Sequence, residues 1–240
     1  MSLLRLAGGA LVASTILVTL PTDAAAIPAF ARKYKVSCNL CHNPFPALTA
    51  FGEQFAGNGF RMAIDEEPRD TIATGDDLLT LPASVPLALR LDAYAQLYSD
   101  GKAATDFQLP FNLKLLSGGT LGKKLSYYIY FLLAERGEVA GIEDAFVYWN
   151  DIAGAPVDLA VGQFQVSDPM FKRELRLEVL DYAIYKVLVG LQPANLTYDR
   201  GLMASADLAG FTLTATLVNG DGIPAANELF RYDNDANKNL

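Results

Sequence analysis

From Pro86 onward the chain alternates apolar and polar residues with a period of two, and that pattern confines it to β-sheet. Leu87, Leu89, Leu91, Ala93, Ala95 and Leu97 fall on one side of the pleat, while Ala88, Arg90, Asp92, Tyr94, Gln96 and Tyr98 fall on the other. Similar alternation predicts strands over 109–115, 121–133, 142–149, 157–164, 195–207 and 211–218. Gly118-Gly119, Gly137, Asn150-Asp151, Ala209-Gly210 and the run from Asn219 to Gly222 read as the turns between them. The stretch 167–189 breaks the alternation. Its charged part, from Asp168 to Arg176, is expected to be a short helix or a long loop.

A two-period pattern of this length has two solutions, a soluble antiparallel sandwich or a membrane barrel. The residues are 51% hydrophobic with a mean hydropathy of +0.19. Yet after residue 26 no apolar run approaches the ~20 residues a spanning helix needs. The second face decides the expectation, because Arg90, Asp92, Gln96, Lys114, Asp144 and Asp158 suit a water-filled interior. The predicted fold class is therefore mainly β, a porin-like antiparallel β-barrel. A formal net charge of −8 counts against nucleic acid as a partner.

The N-terminus reads as an export signal, with an uncleaved N-terminal anchor as the alternative: Arg5 supplies a positive start, 6–20 are apolar or small, and Ala24-Ala25-Ala26 is a small-residue cleavage site. Four segments follow: a signal peptide over 1–26, a small helical unit over 27–62, an acidic linker over 63–85 and the barrel over 86–240. In the linker Asp65, Glu66, Glu67 and Asp70 read as a solvated charge run.

The helical unit holds the chemistry. Cys38-Asn39-Leu40-Cys41-His42 contains both cysteines and the single histidine of the chain. Two thiols at Cys-x-x-Cys spacing reach the two vinyl groups of one haem as thioethers, and the next-door imidazole can then ligate the iron. A thioredoxin-type pair would need a βαβ context, a zinc site would need four ligands, and a plain disulfide leaves His42 without a role. The expected cofactor is one covalent haem c on Cys38, Cys41 and His42. With no second histidine, the sixth ligand must be Met, Lys, Tyr, Asn, water or a partner's residue. Met62, which ends the unit, is the candidate. A helix is predicted from Asn43-Pro44, with Phe45, Leu48, Phe51 and Phe55 on one face and Gly57-Asn58-Gly59 as its stop. A unit so small must lean on the sheet to bury an interior.

Pro28-Ala29-Phe30-Ala31-Arg32, Pro46-Ala47-Leu48-Thr49-Ala50-Phe51-Gly52-Glu53-Gln54-Phe55 and Asn58-Gly59-Phe60-Arg61-Met62 resemble the N-terminus of the fused monohaem cytochrome–porins. The best-known members are outer-membrane iron oxidases. The resemblance implies a cytochrome unit plugging an outer-membrane barrel, with Cys38, Cys41, His42 and Met62 carried over as haem-binding. It further implies electrons passing from extracellular Fe(II) to a periplasmic acceptor such as a soluble cytochrome. Lys33-Tyr34-Lys35-Val36 departs from the Gln-Thr-containing stretch of the iron oxidases, which leaves the donor open. A barrel wide enough for a haem unit needs roughly sixteen strands against about eight candidates here. The polar run 233–240 is not a closing strand, so a shortened chain and a partial barrel are expected. Two other functions fit the same residues. One is a passive porin with the haem unit as plug; the other is a soluble periplasmic haem carrier or sensor built on a sandwich.

Overall fold

The computed structural model describes residues 28–62, 66, 71–76, 79–83, 85–99, 103–166 and 198–220. The expected signal at 1–26, the irregular stretch 167–189 and the polar run 233–240 lie outside the described residues. Three short helices come first: α1 (Ala29–Tyr34), α2 (Cys38–Cys41) and α3 (Ala50–Gly57). Within the acidic stretch, β1 (Thr71–Ala73) pairs with β2 (Thr80–Pro82) as a small antiparallel hairpin. The main sheet then runs through β3 (Leu87–Ser99), β4 (Ala103–Thr120), β5 (Leu125–Glu135), β6 (Gly141–Trp149), β7 (Asp158–Gln165), β8 (Tyr198–Leu208) and β9 (Phe211–Val218).

These seven strands form one antiparallel sheet in which each pairs with its neighbour in sequence. The fold is therefore mainly β, as the alternation predicts. Among the described residues β3 and β9 do not pair with each other, so the sheet is open. Two expectations need correction. Gly118 and Gly119 are no turn but lie inside the 18-residue β4, opposite Tyr128 and Tyr127. A Cβ at Gly118 would sit 3.0 Å from the ring of Phe30, so the glycine serves close packing, and the chain reverses later, at 121–124. The helix predicted from Asn43-Pro44 begins instead at Ala50. Pro46 disfavours helical backbone at Phe45, which a helix begun at Pro44 would need in its first turn.

The two faces of the sheet differ: one is apolar and exposed, and the other is covered and holds the core cluster of Tyr128, Tyr130, Phe146, Tyr148, Ala160, Phe164 and Val218. On one face Leu89 is 56% exposed, Val161 45%, Leu202 42% and Leu213 55%. These belong to four different strands, and Leu87, Leu91, Ile129, Val147, Trp149, Phe211 and Leu217 on the same face are also exposed. The opposite face is the covered one. Lys114, Ser126, Tyr128, Tyr130, Asp144, Phe146 and Tyr148 are all buried there.

The helical unit covers that second face. Phe60 stacks on Tyr128 with ring centroids 4.6 Å apart, and Phe30 stacks on Phe60 at 5.3 Å. Phe55 meets Phe30 edge-on at 5.2 Å and is the buried apolar anchor of α3. Polar contacts frame these rings: Tyr148 Oη donates to Gly57 O at 2.7 Å, Arg32 Nη2 to Leu87 O at 2.8 Å, and Arg61 Nη1 to Lys123 O. The small unit thus does lean on the sheet.

Gly59 sits where the unit touches the sheet, at φ +70°, and a Cβ there would lie 2.5 Å from Ser126 Oγ and 2.9 Å from the Tyr148 ring. Gly59→Ala is expected to destabilise the docked state by about 2–4 kcal/mol, from left-handed strain plus overpacking. Gly57→Ala, where nothing lies within 4 Å of the added carbon, should be neutral or mildly stabilising. Denaturant titration of both variants beside the parent checks the contrast.

Candidate functional site

Cys38 and Cys41 bracket α2, a single helical turn capped by Ser37, whose side chain accepts from Asn39 N at 3.4 Å. Three residues apart on a helix, the two thiols project from one face. Both cysteines are free, Cys38 exposed and Cys41 half-buried. Burial, with the neighbouring Cys38 second, pushes the Cys41 thiol up. Among the described residues no group of three or more His, Cys, Asp or Glu is arranged to hold a metal ion.

His42 leaves the helix in extended conformation, and its amide donates back to Cys38 O at 3.0 Å. The chain then folds over itself: Asn43 N donates to Ala47 O at 3.1 Å, and His42 bridges Leu48. That loop carries the buried Pro46 carbonyl to within 3.0 Å of His42 Nδ1. A carbonyl can only accept, so Nδ1 carries the hydrogen, and in the neutral ring the lone pair is on Nε2. The imidazole is held by its back edge with its other nitrogen ready to ligate.

Thr49 locks this loop to the cysteine turn. Its Oγ1 donates to Leu40 O at 2.7 Å, its amide donates to Cys41 O at 2.9 Å, and the same Oγ1 caps α3 by accepting from Gly52 N at 3.2 Å. Thr49→Val is expected to cost about 1–2 kcal/mol of local stability, and Thr49→Ser to restore it. The readout is amide exchange at Gly52, whose protection should fall about tenfold in the valine variant.

No family model, curated protein or solved structure matches this chain. The geometry therefore has to speak for itself. Among the described residues no helix is long and apolar enough to cross a membrane.

Met62 stands apart from the other candidates. It is 37% exposed and lies on a groove of about 870 Å3 with Leu48, Phe51, Phe55, Tyr148 and Asp158. None of Cys38, Cys41 and His42 lines that groove. The predicted helical stripe is also split: Phe55 is buried, whereas Phe45 and Phe51 are 59% and 37% exposed. Phe45 instead packs between the His42 ring, 5.0 Å away, and the Arg90 guanidinium, 5.0 Å from its centroid. Glu66 is no solvated charge, since it is 6% exposed and hydrogen-bonded. The Pro46 carbonyl, Thr49 and Glu66 were missed as site groups. A Thr three residues before Gly52 and at a helix start is a readable cap signal; the other two depend on the folded chain.

Proposed function

We propose that this chain is a c-type cytochrome of the outer membrane, carrying one haem on Cys38, Cys41 and His42. The observation that carries the reading is the hydrogen bond from His42 Nδ1 to the Pro46 carbonyl at 3.0 Å, one residue from a turn presenting two free thiols. The residues fit the group. Cys38 and Cys41 tether it from one helical face, and His42 offers Nε2 in a fixed tautomer. Leu40, Phe45 and Phe51, apolar and exposed, supply a surface for its ring to cover. Met62 is the proposed sixth ligand, on the resemblance of Asn58-Gly59-Phe60-Arg61-Met62 to the cytochrome–porins; it lines the groove beside Phe51. Bound haem supplies a one-electron Fe(III)/Fe(II) couple, suited to passing electrons from a donor outside the cell, Fe(II) among the candidates, to a periplasmic acceptor such as a soluble cytochrome.

The sheet supports the location. An apolar face exposed across the strands of the main sheet is what lipid contact requires, whereas a soluble sandwich would bury it. We read the open sheet as the wall of a porin-like barrel, with the helical unit against its polar interior. β5 and β8 have 11 residues each, enough for a tilted strand to span the ~9–11 residues of a bilayer core. The resemblance of the N-terminal unit to cytochrome–porins agrees with this reading.

The test is a haem-stained denaturing gel and a reduced-minus-oxidised spectrum on separated outer-membrane and periplasmic fractions. Stain and redox-active haem in the outer-membrane fraction are expected. Haem confined to the soluble periplasm would overturn the membrane reading, and a chain that never stains would overturn the cytochrome reading.

A further inference from the structure

We infer that Glu66 is a positioning residue for the sixth-ligand segment: its buried carboxylate fixes the Met62 backbone against α1. The inference rests on the proposed ligation by Met62 and deepens it. Three donors converge on this side chain. The Met62 amide donates to Oε2 at 2.8 Å, Tyr34 Oη lies 2.9 and 3.0 Å from the two oxygens, and Lys33 Nζ is 3.5 Å from Oε1. Lys33 Nζ also reaches Thr120 Oγ1 on β4 at 3.4 Å, so the same cluster is tied to the sheet. Tyr34 Oη is 3.1 Å from Phe60 O as well, which brings the backbone on either side of Arg61 to one point.

Stability alone does not call for this arrangement. A buried carboxylate costs desolvation, and an apolar residue of similar size often serves packing as well or better. What a charged acceptor adds is direction, because amide-to-carboxylate bonds are short and strongly oriented. Direction matters here because the Met62 side chain is 37% exposed and has little packing to hold it. Its approach is set by its backbone, and its backbone is held by Glu66.

The experiment uses the holo-protein and measures two quantities: affinity for added imidazole, which competes for the sixth position, and reduction potential. The variants are Glu66→Ala, Met62→Ala and the double. Met62→Ala should tighten imidazole binding and lower the potential. Glu66→Ala should move both in the same direction, with imidazole about tenfold tighter, the scale of one lost charge-assisted hydrogen bond. In the Met62→Ala background the Glu66 change should add nothing, which a merely structural role would not produce. A shift in Met62→Ala without one in Glu66→Ala overturns the positioning role and leaves the ligand assignment standing. No shift in Met62→Ala overturns both, and a Glu66 effect that persists in the double variant overturns the positioning role. Should Glu66→Ala not yield folded protein, Glu66→Gln keeps one acceptor for the Met62 amide and is expected to shift imidazole affinity about threefold in the same direction. A glutamine variant indistinguishable from the parent, with Met62→Ala shifted, again overturns the proposal.

Discussion

Replacing both Cys38 and Cys41 with serine is expected to remove haem completely from the chain on a denaturing gel. Serine hydroxyls form no thioethers with vinyl groups, and nothing else described in the unit can bond the ring covalently. On the proposed attachment each single serine variant leaves one thioether, so stain should persist with an altered spectrum. His42→Ala separates tethering from ligation: attachment through Cys38 and Cys41 can survive, but the proximal nitrogen is gone. The expected result is retained stain, loss of the low-spin reduced spectrum and binding of added imidazole in its place. Unchanged spectra in His42→Ala would remove His42 from the iron and, with it, the meaning given to the Pro46 hydrogen bond.

A lysine placed at Val161 gives the second large effect. Val161 lies mid-strand in β7, is 45% exposed, and is flanked by Val147 and Leu202 on the same face. If lipid covers that face, a lysine near the bilayer midplane should cost about 2–4 kcal/mol. In a water-soluble protein an exposed substitution of this kind stays within about 0.5 kcal/mol. Thr214→Lys is the control, since Thr214 is exposed but pairs with Ser205 on the polar face. The measurement is reversible urea unfolding in phospholipid vesicles, with yield in the outer-membrane fraction alongside. Equal, small costs at both positions would remove lipid from the account of this sheet.

Much of the sheet was legible in the sequence because a strand's side chains alternate regardless of what they pack against. The span predicted at 211–218 coincides with β9, and 142–149 falls within one residue of β6. Errors came where a residue's role is set from outside its own strand. Gly118 looked like a turn because the ring of Phe30, distant in sequence, was invisible to local pattern. Helical spacing of Phe45 and Leu48 points to a start earlier than that of α3, while Pro46 disfavours helical backbone at Phe45. At the site, Cys38, Cys41 and His42 were named from spacing alone, and the structure sets them on one turn and the residue that ends it. The carboxylate of Glu66 could not be found that way, since nothing local distinguishes it from the acids around it.

The neighbour-to-neighbour pairing of the strands has a consequence for the order of assembly. The β4–β5, β5–β6, β6–β7 and β8–β9 pairs can each zip from a described turn, whereas docking the helical unit joins Tyr148 to Gly57 across 91 positions. Contacts of that separation carry a loop-closure penalty that local hairpins avoid, and they form late. The cysteine turn should therefore stay loose and reachable while the strands are already pairing. A chain of this design leaves a window before final docking in which Cys38 and Cys41 can still be reached.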